Sequence, residues 1–401
     1  MLLVCINFAP ELAGIAPYTA SLATYLSNSV NVNVVTTMPH YPEWSKKPAS
    51  KKEITPTNRG HYLEVKRVWH FVPSRMNFAA RLFMELSFAL SAVATKWEGD
   101  GPIVVVSPSL IASVFSLLKA KAIRPRARRI LWIQDLYTAG LLQKYGPSSP
   151  VTTFFMLLER QAIRLADRVV VIHPRFSAFV QDQLKAEPEK VSVVRNWSHF
   201  RASPDENPSV IRARYGLSDS SVVVCHAGNM GFKQGLGNVV EAARLASTGI
   251  NPVHFLLVGN GNQRKALEAQ AKGLENILFV DSVSDTELAN LMGASDVLLI
   301  NELAGMREMA LPSKFTTYLT AGKPVLLASD AESIMAEELE ASGAGIRVDA
   351  DSPEKLLEGV AALVADEQSR AVYAASGETH LEKYLTAESA YQAFDQILGI
   401  G

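Results

Sequence analysis

Cysteine is nearly absent from this chain. The two present, Cys5 and Cys225, each sit inside an apolar run, LLVCINF and SVVVCHAG. Neither stands in a zinc-like neighbour pattern, and two distant thiols make no disulfide scaffold. Both read as buried thiols. An excess of one charge is also lacking. The formal net charge is −1, which excludes the strongly basic balance of a nucleic-acid binder. No uncharged apolar run reaches the ~18 residues of a membrane span; the nearest, 82–95, is interrupted by Glu85. The opening MLLVCINFAPELAG has no basic segment and reads as a first strand, not an export signal. The expected location is the cytoplasm. No aspartate-rich stretch points to a divalent metal, so neither metal nor cofactor is expected.

What is present is a repeated alternation of short apolar strands and amphipathic helices, the pattern of βαβ units on a parallel sheet. In the first half the expected strands are 2–8, 32–37, 65–71, 103–107, 129–135, 168–173 and 191–197, with helices over 17–28, 76–97, 110–122 and 151–166. The polar stretch SPDENPSV, 203–210, has two prolines and no apolar period, and reads as a linker. The alternation then restarts, with strands at 222–228, 254–259, 277–281, 296–301, 324–329 and 345–348. Helices are expected over 236–248, 262–272, 285–293, 313–321, 331–342 and 353–365. A last helix over 380–398 has no strand after it and could cross back to the first domain. The expected organisation is therefore two doubly wound α/β domains, 1–202 and 203–379, facing a cleft at the carboxyl ends of their strands, where such sheets bind ligands.

Four strand-end loops carry residues suited to a phosphorylated ligand. In NFAPELAGIAPYTASL, Gly14 lets backbone approach a ligand ahead of a helix, or simply makes a βα turn. In HAGNMGFKQGL, Asn229, Gly231 and Lys233 combine backbone donors with one cation. In VGNGNQRKALE, Gly259 and Gly261 form a Gly-x-Gly turn, but Arg264 stands where a dinucleotide fingerprint would need its third glycine. In REMALPSKFTTYLTAGKPVLLAS, Pro312, Ser313 and Lys314 open a helix with a proline, an N-cap serine and a lysine.

The runs PSKFTTYLTAGKPVLLA, HAGNMGFKQGL, LLVGNGNQRKALE and NFAPELAGIAPYTASLA together resemble the retaining glycosyltransferases of family 4. With PHYPEW (39–44) and WIQDLY (132–137), they are most similar to the bacterial branch that builds colanic acid, O-antigen and capsule. The resemblance covers nearly the whole chain in order. It implies the GT-B fold, a nucleoside-diphosphate sugar held mainly by the second domain, an acceptor held mainly by the first, and retention of anomeric configuration. Many members carry two glutamates eight positions apart before the Gly-x-Pro-Val run. Here those positions hold Met309 and Thr317, with Glu308 one residue away and Glu302 also near. The histidine many members place after a first-domain strand falls near Gln134.

On this reading Lys233, Lys314 and the Ser313 N–H stabilise the charge of the leaving diphosphate. Glu308 substitutes for a missing carboxylate, and Ser282 and Val283 meet the nucleobase through their backbone, as the resemblance implies. Asp135 orients a sugar or caps a helix. His40 and Tyr41 line the acceptor side or pack a loop. From Lys119 to Arg129 six basic residues (Lys119, Lys121, Arg124, Arg126, Arg128, Arg129) run without an acid. Beside apolar helices they suit an anionic membrane surface and a polyprenyl-diphosphate-linked acceptor, or are a solvated loop. The rival expectations are a GT-B sugar-nucleotide epimerase, a non-catalytic sugar-nucleotide-binding partner subunit, and a two-domain binding protein of periplasmic type.

Overall fold

A computed structural model describes residues 1–74, 77–247, 253–306 and 313–400. The chain divides into two units, Met1–Asn196 with Ala390–Gly401, and Trp197–Ser389.

The first unit is built on strands β1 (Leu2–Val4), β2 (Val32–Thr37), β3 (Lys52–Pro56), β4 (Tyr62–Val68), β5 (Ile103–Val106), β6 (Arg129–Ile133), β7 (Arg168–Val171) and β8 (Val191–Val193). Their order in the sheet is β3-β4-β2-β1-β5-β6-β7-β8, parallel throughout except that β3 runs antiparallel to β4. The central strands are apolar and buried because helices cover both faces. Those helices are α1 (Ala16–Leu26), α2 (Phe78–Ala94), α3 (Leu110–Ile123), α4 (Tyr137–Tyr145), α5 (Pro150–Leu165) and α6 (Pro174–Asp182). Strand β3, KEITP, was not expected. It is exposed along its whole length, so it carries no apolar alternation, and its Glu53 is held by Arg67 of β4 at 2.8 Å.

The second unit runs α7 (Pro208–Arg214), β9 (Val222–Ala227), α8 (Gly237–Ala246), β10 (Val253–Val258), α9 (Arg264–Gln270), β11 (Ile277–Val280), α10 (Asp285–Gly293), β12 (Val297–Asn301), α11 (Ser313–Leu319), β13 (Val325–Ala328), α12 (Ile334–Ser342), β14 (Gly345–Val348), α13 (Pro353–Ala365) and α14 (Glu367–Tyr384). Its six strands are all parallel, in the order β11-β10-β9-β12-β13-β14. Alternate side chains feed two cores: Leu256 and Val258 of β10 pack into one, Phe255 and Leu257 into the other.

Two expectations are corrected here. The polar stretch 203–210 is not all linker, because Asn207 caps α7 with Pro208 in its first turn. The single helix over 380–398 is two helices, since the chain breaks at Leu385 and restarts as α15 (Ala387–Leu398). Leu385 is fully buried there. From Ala390 on, α15 belongs to the first unit, where Phe394 packs edge-on against Trp132 and Tyr25 donates to Asp395 at 2.6 Å.

Candidate functional site

Both sheets have a switch point, where successive strands start adding to the opposite side. It lies between β9 and β12 in the second unit and between β1 and β5 in the first.

At the second unit's switch point a cavity of about 310 Å³ is lined by Gly228, Asn229, Gln234, Ser313, Lys314, Thr317 and Tyr318, among others. Local sequence explains its walls. After β9 the chain must turn sharply under α11: Gly228 has φ +132°, and a Cβ there would stand 3.0 Å from Lys314 Cε. The following turn is fixed from below by Asn301, whose amide donates to the carbonyls of Gln234 (2.9 Å) and Gly235 (3.1 Å). Gly259 and Gly261 are demanded by backbone packing: added Cβ atoms would fall 2.1 Å from the Gly228 carbonyl and 2.4 Å from that of Met230. Arg264, the residue in the third-glycine position, bonds the Gly259 carbonyl at 2.7 Å and pairs with Asp281 at 2.7 Å.

Tyr318 ties α11 to the sheet, accepting the Ala227 N–H at 2.6 Å. Lys314, half-buried, donates from Nζ to His226 Nε2 at 3.0 Å. Burial pushes its pKa down to about 7, against the pull of Glu302 and then Cys225. Glu302 is itself pushed up to about 7 by burial, tempered by Ser333 and Lys314, and its Oε2 has no hydrogen-bond partner. The cavity thus offers amide groups, hydroxyls and one amine, a set that complements an oxygen-rich anion.

Among the expected site residues, Asn229, Ser313, Lys314 and Thr317 meet in this cavity. Gly231 and Lys233 lie on the adjoining turn; Lys233 is exposed, and Gly231 lines a neighbouring hollow with Phe232 and Gly235. Ser282 is exposed and Val283 half-buried after β11. Glu308, Met309 and Pro312 lie outside the described residues. His226, Gln234 and Tyr318 were missed. A histidine inside the apolar run VVVCHAG is the signal that could have found the first.

At the first unit's switch point a cavity of about 270 Å³ is lined by Asn7, Gly14, His40, Tyr41, Trp44, Arg81 and Glu85, among others. Gly14, expected with the donor, therefore shares a cavity with the acceptor candidates His40 and Tyr41. Glu11 locks the first loop to the second: its Oε1 accepts the N–H groups of His40 (2.7 Å) and Tyr41 (2.8 Å), and its Oε2 that of the Asn7 side chain (2.9 Å). Buried Glu85, the residue that interrupts the apolar stretch, accepts from Tyr137 and from the Ile111 N–H (3.3 Å) at the start of α3; burial raises its pKa. Arg81 donates to Tyr137 Oη at 2.8 Å and stands 3.9 Å from Asp135. Asp135, Tyr137 and Glu159 line a narrower crevice beside it. Asp135 accepts the next N–H, that of Leu136 (3.0 Å); the start of α4 is held by Glu159, which accepts the N–H groups of Tyr137 (2.8 Å) and Thr138 (3.2 Å).

The basic run is not a bank of free cations. Lys119 donates to the carbonyls of Val93 and Thr95 at the end of α2, Arg128 to that of Ile397, and Arg129 pairs with Asp167 at 2.6 Å. Lys121 and Arg126 are exposed. Beside them α2, α3 and α5 expose Phe83, Leu90, Leu118, Phe154 and Leu157. Among the described residues no helix is long and apolar enough to cross a membrane, and no group of three or more His, Cys, Asp or Glu is arranged to hold a metal ion.

Comparison with known proteins gives matches across both units. Residues 209–380 match the family described as glycosyl transferases group 1, and residues 13–197 the glycosyl transferase 4-like domain. The putative colanic acid biosynthesis glycosyl transferase WcaI of Escherichia coli K12 is 30% identical over 88% of this chain and 89% of its own. Among solved structures, sucrose-phosphate synthase of Thermosynechococcus elongatus superposes with a TM-score of 0.72 at 14% identity, over 99% of this chain and 97% of that one. HepE of Anabaena, solved in complex with UDP, superposes with a TM-score of 0.69 at 18% identity over 100% of both chains. The fold is GT-B, as the sequence resemblance implied.

Proposed function

The chain belongs to the group 1 glycosyl transferases, with a glycosyl transferase 4-like domain in its first half, and from that premise we propose that it is a retaining enzyme of bacterial surface-polysaccharide assembly. It moves a sugar from a nucleoside-diphosphate sugar, UDP- or GDP-linked, to a glycan or a polyprenyl-diphosphate-linked acceptor. The observation that carries this reading is the switch-point cavity of the second unit, with Lys314, Asn229 and Gln234 around the turn at Gly228. When the anomeric C–O bond breaks, negative charge grows on the leaving diphosphate. Lys314 in the cavity and Lys233 on its rim stabilise that charge. Thr317, which stands where many relatives carry glutamate, offers a hydroxyl to the donor. The backbone at Ser282 and Val283 meets the nucleobase. That HepE was solved with UDP is in keeping with this assignment.

The first unit's cavity takes the acceptor. His40, Tyr41 and Trp44 supply aromatic walls, and Asp135, steadied by Arg81, orients an acceptor hydroxyl. The exposed apolar residues of α2, α3 and α5, with Lys121 and Arg126, rest on the anionic inner face of a membrane.

The test is calorimetric titration of UDP and GDP into the wild type, Lys233→Ala and Lys314→Ala. Binding of one nucleotide, weakened in both variants, is the expected result. No binding of either nucleotide to folded wild type would remove the donor-site assignment. Net release of free nucleoside diphosphate at each turnover separates a transferase from an epimerase.

A further inference from the structure

His226 is the penultimate residue of β9, and its ring is fully buried. Its Nδ1 lies 3.2 Å from the Leu299 carbonyl oxygen. A carbonyl only accepts, so Nδ1 carries the ring proton and Nε2 is left with its lone pair. That lone pair faces Lys314 Nζ at 3.0 Å, so the amine donates and the imidazole accepts. Both ring nitrogens are thereby committed. His226 does not line the cavity; Lys314 does. The histidine is a fixed backstop for the one amine on the cavity wall.

Among the described residues, the groups facing Lys314 are few. From β9 come His226 and Cys225; from the end of β12, Glu302, which in turn feels Asp330 beyond β13; from its own helix, Tyr318. Burial pushes the Cys225 thiol up to about 12 and the Tyr318 phenol well above its ordinary range, so both are neutral near pH 7. Burial, and then the Lys314 charge, hold His226 well below the usual histidine range. Glu302 is the one carboxylate among them that touches the balance directly.

We propose that His226 is a positioning residue for the donor diphosphate: it fixes Lys314 Nζ on the cavity wall, and the pair takes up one proton from solvent when the diphosphate arrives. This rests on the donor-site reading above. A dianion beside a half-buried amine favours its charged form. The proton goes to Lys314 Nζ, because neither nitrogen of His226 is free to take it. Linkage gives the sign. With the free amine titrating at about 7, uptake is small below that pH and approaches one proton above it. Affinity then falls by up to about tenfold per pH unit as pH rises. The phosphate's own second ionisation, near roughly 6, is complete in that range.

The experiment is calorimetry of UDP and GDP binding to the full chain between pH 7.5 and 9, in two buffers of different ionisation enthalpy. The pH dependence of KM for the sugar nucleotide is measured alongside. Wild type is expected to take up close to one proton per nucleotide at the upper end. His226→Phe keeps the ring volume and removes the acceptor. Its lysine is released to solvent and regains its ordinary charge, so proton uptake and the fall of affinity with rising pH both disappear. His226→Gln, with an amide oxygen near the Nε2 position, is expected to restore both. Nucleotide binding without proton exchange in wild type would overturn the proposal and leave the donor site standing. So would wild-type behaviour of His226→Phe, or a folded His226→Gln that fails as His226→Phe does. No nucleotide binding to folded wild type would overturn the donor site and this proposal together.

Discussion

The two switch points share a topology and differ in chemistry. In the second unit the turn after β9 is held by Asn301 amide donors and closed by Lys314, so the cavity wall presents nitrogen and hydroxyl groups. In the first unit the loops are held by buried carboxylates: Glu11 between the first two loops, Glu85 at the start of α3, Glu159 at the start of α4. Aromatic rings line what remains. A parallel sheet opens a crevice wherever its strand order reverses; what the crevice binds is decided by the few side chains that satisfy the loop backbones around it. Where amides and an amine do this, negative charge is welcome. Where carboxylates do, an uncharged hydroxyl is the better guest.

The largest expected effect breaks the comparison at its cation. Lys314→Ala should lower turnover by about a hundred-fold or more and weaken nucleoside diphosphate binding, whereas Arg81→Ala should spare nucleotide affinity and raise KM for the acceptor. Equal loss of nucleotide affinity in both variants would erase the distinction between the two cavities. Next in size is Glu11→Ala, which leaves the buried N–H groups of His40 and Tyr41 without their acceptor. It should cost about 2 kcal/mol or more in urea unfolding and impair acceptor use before donor binding. An unchanged unfolding midpoint would mean that the loops are held some other way.

The smallest effect sets Glu159 against Glu302, both pushed up to about 7 by burial. A carboxyl whose folded pKa is raised contributes its full stability below the unfolded value of 4.5 and loses it as pH rises through about 7. Glu302→Gln, at a side chain with one unpartnered oxygen, should flatten that decline at a cost under about 1 kcal/mol. Glu159→Gln keeps one acceptor where two N–H groups need it, and should cost about 1–3 kcal/mol even at pH 5. Unfolding midpoints at pH 5 and pH 8 decide this, and equal costs for the two variants would contradict the geometry.

The strands of the second unit were legible in the sequence almost to the residue, because a strand buried on both faces is an unbroken apolar run such as HFLLVG or DVLLIN. Strand β3 was not, since KEITP is exposed and owes its place to pairing with β4. Helices α4 and α6 also went unread; each is short and buries only two side chains, Thr138 and Leu141 in α4 and Phe176 and Val180 in α6. At the site, glycines and lysines near strand ends could be found by type, but their geometry could not. Gly259 and Gly261 could be singled out as strand-end glycines, but not the close contact of two loop backbones that also requires them. Six basic residues within 119–129 looked like a surface patch, yet Lys119 and Arg129 are engaged in holding the fold. His226 was passed over because a lone histidine in a strand carries no spacing signal; the partners at its two nitrogens, the Leu299 carbonyl and Lys314, come together only in the fold.

The return of α15 has a consequence for synthesis. Trp132 and Phe394, both fully buried, lie in contact in the first unit although 262 residues of chain separate them. Translation proceeds from the N-terminus, and domains generally fold as they emerge. The first unit is therefore the earliest to be made and the last to be completed. Its face around Trp132 waits, uncovered, until the second unit has been made and α15 follows it. A ribosome stalled after the second unit's strands would hold a protein whose earlier half is still unfinished.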